Sequence, residues 1–136
     1  MRIKWNTKLE TGIRSIDLQH EELIGMLNEL NTAYISGGDQ SLLEDVLQRL
    51  GSYVTFHFAT EESLMASLRE EQHTEEHRRQ HKKFIEQLEH MCIQARQDDQ
   101  DTMLGLIDFL NEWLYEHILK TDRSLGMLLK TQATSS

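Results

Sequence analysis

Residues 41–68, SLLEDVLQRLGSYVTFHFATEESLMASL, carry an apolar stripe with a charge set into it. Leu43, Val46, Leu47, Leu50, Val54, Phe58, Leu64, Met65 and Leu68 recur at the three- and four-residue steps of one helix face. His57 and Glu61 stand on that same face. A lone histidine on such a stripe is ordinarily a satisfied core residue. An ionised carboxylate in an apolar interior is expensive unless something neutralises it. The stretch therefore predicts a long helix whose buried side carries a metal-type pair.

Similar helices lie on either side. Residues 16–35 place His20, Leu23, Ile24, Leu27, Leu30 and Tyr34 on one face, and Ser36-Gly37-Gly38-Asp39 stops them, with glycine supplying the left-handed cap. After a polar connection over residues 69–73, Thr74 is a plausible N-cap for a third helix bearing His77, His81, Phe84, Ile85, Leu88, Met91, Cys92 and Ala95. Gln97-Asp98-Asp99-Gln100-Asp101 makes a turn, and a fourth helix presents Met103, Leu106, Leu110, Trp113 and His117. Residues 1–15 lack a sustained period and read as an extended arm anchored by Trp5. Leu125, Met127, Leu128 and Leu129 form a short amphipathic tail, and residues 131–136 should fray. Short connections between long helices predict an all-α, antiparallel up-down-up-down four-helix bundle, with residues 16–130 as its body in a single domain spanning residues 1–136.

Composition narrows the function. A net charge of -9 and a pI of about 5.2 argue against nucleic acid and anionic membrane as partners. No stretch approaches the ~20 apolar residues of a membrane span, and MRIKWNTKLE lacks the apolar core of a signal peptide. The single cysteine, Cys92, flanked by Met91 and Ile93, reads as a buried structural thiol and suits a reducing cytoplasm.

The i, i+4 pairs His57/Glu61 and His77/His81 each point two donors the same way, and both interrupt apolar stripes. His20 and His117 do the same singly on the other two helices. Asp122 follows His117 by five residues, a rotation of about 500° in a regular helix, so the pair shares a face only if the helix ends, kinks or takes a π turn between Ile118 and Thr121. Spacing alone leaves Asp122 open as a ligand or as a cap for the tail. His73 also lies four residues before His77, but Arg69-Glu70-Glu71-Gln72 gives it no apolar context, and His90 reads as solvated. Nitrogen and carboxylate donors without thiolate disfavour iron–sulfur and structural zinc sites, and seven are too many for one ion.

The pattern resembles the hemerythrin family, most closely its bacterial branch. The resemblance rests on Trp5; on Gly12-Ile13-x-x-Ile16-Asp17-x-Gln19-His20; and on His57-Phe58-x-x-Glu61-Glu62-x-x-Met65. It rests further on His77-x-x-x-His81-x-x-Phe84 and Trp113-x-x-x-His117-Ile118-x-x-x-Asp122, so it covers nearly the whole chain. Phe84, three residues after His81, favours 77/81 over 73/77 as the helix-three pair. Residues 68–74 depart from many relatives in lacking an aromatic-proline turn.

The resemblance implies two iron ions bridged by an oxo or hydroxo group and by Glu61 and Asp122. One iron would take His77, His81 and His117; the other would take His20 and His57 and keep an open position for dioxygen. The expected function is reversible dioxygen binding for storage, delivery or sensing, without enzymatic turnover. The alternative is an oxygen- or redox-sensing input domain fused to or cut from a larger signalling protein such as a diguanylate cyclase or chemoreceptor; a third is a di-iron oxidase or iron-repair protein. Phe58, Phe109 and Trp113 are expected to line a dry oxygen pocket with Leu or Ile from helix one. Glu62 and Asp17 are candidate partners for the histidine N–H groups.

Overall fold

The computed structural model describes residues 7–37, 40–97 and 100–134. A 3-10 turn, Thr7–Leu9, leads into four long helices: α1 (Arg14–Ile35), α2 (Gln40–Met65), α3 (Glu71–Gln97) and α4 (Gln100–Glu116). A π-helical segment, His117–Asp122, continues α4 and passes into α5 (Arg123–Thr134). α1 packs on α2 and α4, and α3 packs on the same two, so the four close around a shared interior. The protein is an all-α helical bundle, and among the described residues no helix is long and apolar enough to cross a membrane.

The interior is built in two apolar bodies. The larger gathers Leu23, Ile24, Leu27 and Leu30 of α1, Val46, Leu50, Val54 and Phe58 of α2, Phe84 and Leu88 of α3, and Leu106, Leu110 and Leu114 of α4. The smaller holds Ile16, Met65 and Leu125, with Leu68 and Leu129 against it. Ile16 lies one turn before His20, and Met65 one turn after Glu61. The polar side chains described below therefore sit between a large core and a small apolar plug.

Several boundaries differ from those expected. α1 begins at Arg14 rather than 16 because Asp17 braces its start: its carboxylate accepts from Thr11 N–H (2.8 Å), Thr11 Oγ1 (2.8 Å) and Gly12 N–H (3.2 Å). The arm is thus not extended throughout; Thr7–Leu9 is helical and lies against the π segment, while Trp5 is outside the described residues. α2 stops at Met65 rather than 68, since Ser67 N–H and Leu68 N–H turn to the oxygens three back, Leu64 (3.3 Å) and Met65 (2.9 Å). Thr74 is not a cap: α3 is already running, and Thr74 N–H donates to Glu70 O at 3.1 Å. At the far end α3 continues through Gln97 and α4 begins at Gln100, so the expected 97–101 turn is helical at both edges, and residues 98–99 lie outside the described set.

α5 runs through Thr134, beyond the expected end at 130, and Gln132 ties it down by donating to Ser67 O (2.8 Å) and accepting from Arg69 N–H (3.2 Å). Residues 135–136 lie outside the described set. Met127, expected on the tail's apolar face, is 68% exposed; Leu125 and Leu129 are the residues that pack inward. Gly126 lets α5 come close, because a Cβ there would stand 2.3 Å from Thr11 O. The expected cap geometry after α1 is present: Gly37 has φ +74° and donates to Tyr34 O at 3.1 Å.

Candidate metal centre

His20 comes from α1, His57 and Glu61 from α2, His77 and His81 from α3, and His117 and Asp122 from the π segment. None is more than 4% exposed. The π segment answers the five-residue problem: Arg123 N–H reaches back to Ile118 O, and this wider turn places Asp122 on the side of His117.

The donors fall into two groups sharing two members. Glu61, His77, His81, His117 and Asp122 form one, and His20, His57, Glu61 and Asp122 the other, with donor atoms in each group within 4.8 Å of one another. In the first, Asp122 Oδ1 lies 2.9 Å from His77 Nε2 and 3.0 Å from His117 Nε2, while Glu61 Oε1 lies 3.2 Å from His81 Nε2. In the second, Asp122 Oδ2 lies 2.8 Å from His20 Nε2, and Glu61 Oε1 lies 3.4 Å from His57 Nε2. Asp122 thus turns a different oxygen to each group.

The donors fit a cation better than they fit one another. His117 Nε2 stands 3.2 Å from both His77 Nε2 and His81 Nε2. Among the described residues, both oxygens of Glu61, both of Asp122, and Nε2 of His20 and of His57 are buried without a hydrogen-bond partner. His20 Nε2, though 2.8 Å from Asp122, is off the line a hydrogen bond requires. Orphaned buried acceptors on this scale cost several kcal/mol, at ~1–3 kcal/mol each, unless a positive charge satisfies them.

Outer contacts fix which nitrogen faces inward. Thr60 Oγ1 donates to Phe56 O (3.2 Å) and so accepts from Gln19 Nε2 (3.3 Å), which turns Gln19 Oε1 to His57 Nδ1 at 2.7 Å. Gln80 Oε1 likewise accepts from Thr121 Oγ1 (3.0 Å) and His117 Nδ1 (3.0 Å). Each histidine then keeps its proton on Nδ1 and aims the Nε2 lone pair at the centre. Glu62 lies 3.6 Å from His81 Nδ1, near the place expected for it. Asp17 does not reach the histidines, being spent on the α1 start. His73, set aside in the sequence, is helical after all, and its Nε2 lies 3.1 Å from His77 Nδ1. Gln19 and Gln80 each directly precede a site histidine, yet each serves a histidine on another element, a pairing no local spacing reveals. His90 is exposed, as expected.

The electrostatics follow from burial. Burial first, and the neighbouring His20 next, lower His57 to about 3, against the opposing pull of Asp122. Burial, then His117 and His77, lower His81 to about 2. Burial also lowers His117. Burial alone would raise the Asp122 carboxyl; His117 above all, with His20 and His77, overrides it and holds Asp122 well below the usual range. Glu61 is raised well above its ordinary value by burial, then by Asp122 and Glu62. Neutral imidazoles are the form that ligates metal.

Aromatic rings close one side. Phe58 stacks on His81 (3.7 Å, 6°) and approaches His57 at 6.1 Å; Trp113 stacks on His117 (4.4 Å, 13°). Phe84 stacks on Trp113 at 4.1 Å, and Phe109 on Phe84 at 5.6 Å. Phe109 therefore stands one ring further out than expected, and Phe84 takes the nearer place. Trp113 lies against the three-histidine group, not over the two-histidine group.

Fold and site together define a helical-bundle protein with a buried histidine–carboxylate cluster shaped for cations. Residues 11–129 match the family described as Hemerythrin HHE cation binding domain, and the chain belongs to the hemerythrin family. It is 34% identical over 120 residues to a bacteriohemerythrin of Pseudomonas aeruginosa, covering 87% of this chain and 75% of that one. A bacteriohemerythrin of Clostridium acetobutylicum is 32% identical over 125 residues, covering 88% and 95% of the two chains. Hemerythrin subunit alpha of Lingula anatina is 31% identical over 121 residues, 87% of each.

Proposed function

We propose that this chain binds dioxygen reversibly at two iron ions, one held by His77, His81 and His117, the other by His20 and His57, with Glu61 and Asp122 spanning both. The observation that carries this reading is the overlap of the two donor groups at those two carboxylates. Three histidines with two shared carboxylates make five protein donors; two histidines with the same carboxylates make four. The ion on the two-histidine side would thus be the one with room for a small ligand. When bound, the iron pair supplies the electrons that capture dioxygen.

The chain's own residues set the conditions. Gln19 and Gln80 hold protons on Nδ1 of His57 and His117, keeping both Nε2 atoms as donors. Phe58, Phe84 and Trp113 keep water from one side of the centre, which favours release of the gas over its reduction. The relatives' names, bacteriohemerythrin and hemerythrin, fit a binding protein rather than an enzyme. The test is iron quantification together with the visible spectrum as oxygen is admitted and then flushed out with argon. A new band that comes and goes over repeated cycles, at about two irons per chain, is the expected result. An iron-loaded protein whose spectrum is indifferent to oxygen, or changes only once and irreversibly, contradicts the proposal.

A further inference from the structure

The cluster has two unlike boundaries. On one side the stacked rings of Phe58, Phe84 and Trp113 present only apolar surface. On the other, α3 and the π segment flank a cleft of about 760 Å3 whose lining includes Glu70, His73, His77, Gln80, Lys120 and Thr121. His73 is half-buried in that lining, edge-on to His77 with ring centres 5.1 Å apart and Nε2 3.1 Å from His77 Nδ1. An aquated divalent cation crossing the aromatic wall would shed water with nothing to replace it, at a cost far above that of a gas molecule. In the cleft, imidazole and carboxylate donors replace each water lost. Its two cations are already matched, Arg79 by Glu76 and Lys120 by Glu116 (2.8 Å).

Building on the reading of the cluster as a metal centre, we propose that this cleft is the port by which a divalent transition-metal ion reaches the site, with His73 as its capture ligand. Paired with Nδ1 of His77, His73 Nε2 offers the i, i+4 imidazole chelate that borderline cations favour. The capture is transient by construction. Once His77 Nε2 holds the ion inside, its Nδ1 keeps a proton and donates it to His73, and the outer chelate is gone.

A port changes uptake and release by one factor and leaves the affinity alone, whereas a residue that only steadies His77 changes release. Metal-free protein is mixed anaerobically with Co(II), uptake is followed by its visible absorption in stopped flow, and release is followed into excess chelator. His73→Ala and His73→Gln should slow uptake and release together by about tenfold, the low end of effects for residues one layer from a metal. His73→Glu, which restores a donor, should recover much of the rate, and His90→Ala, at an exposed histidine outside the cleft, should load at the parent's rate. Unchanged uptake in the folded His73 variants, faster release alone, or equal slowing by His90→Ala would each overturn the port. A parent chain that takes up no Co(II) would instead remove the metal reading on which it rests.

Discussion

The three-histidine group and the two-histidine group share Glu61 and Asp122 but not the same support. In the first, His117 is met by Gln80, and His81 is approached by Glu62. In the second, His57 is met by Gln19, while His20 Nδ1 is buried with no hydrogen-bond partner among the described residues. A ligand whose outer nitrogen is held loses less freedom on binding and is a better donor. On the proposed reading the difference predicts a division of labour: the braced group would retain its ion, and the looser group would keep a ligand position in play.

The comparison breaks most severely at Asp122, the residue that gives one oxygen to each group. Asp122→Ala should abolish stable loading of both ions, leaving less than one metal per chain by elemental analysis. Next come the histidines. His77→Ala should empty or scramble the braced group, whereas His20→Ala should retain about one ion and lose oxygen binding. Equal metal content and equal oxygen response in these two variants would erase the distinction.

Much of this was legible in the sequence. The helices follow from the three-and-four stepping of Leu and Ile, and the donors from His57, Glu61, His77 and His81 interrupting those stripes. Even the π segment was foreshadowed, because a five-residue spacing between His117 and Asp122 cannot be served by a regular helix. What stayed hidden depends on contacts between elements. Gln19 and Gln80 look like ordinary polar residues until the bundle carries each to a histidine on another element. His73 looked excluded because a Thr at 74 has the chemistry of a cap; the helix starts at Glu71 instead, with Thr74 N–H already bonded to Glu70 O.

Trp113 separates packing from protection. Trp113→Ala should cost about 3 kcal/mol, the lower end for large aromatic truncation because this ring is only partly buried. Its oxygenated form should also decay faster in stopped flow; decay at the parent's rate would assign the water-excluding role to Phe58 and Phe84. A titration is expected to cost somewhat less. His57, His81 and His117 have folded pKa values below the unfolded value, so their contribution is present above about pH 6.5 and is lost as pH falls. His57 and His81 are each worth ~2 kcal/mol between pH 7 and 5 and His117 adds in the same direction, while raised Glu61 acts in the opposite direction over that window. Three histidines outweigh one carboxylate, so the metal-free protein should show a lower Tm at pH 5 than at pH 7. The smallest effects belong to the outer partners: Gln19→Ala and Gln80→Ala should each weaken metal binding by about 10–100-fold, on the two-histidine and three-histidine side respectively.

The most direct test is an anaerobic equilibrium titration of the metal-free chain with Fe(II). Two donor groups sharing two carboxylates predict saturation at two ions per chain, the first bound more tightly at the braced three-histidine group. Saturation at a single ion, with the second group silent at any Fe(II) concentration that leaves the protein folded, would contradict the account.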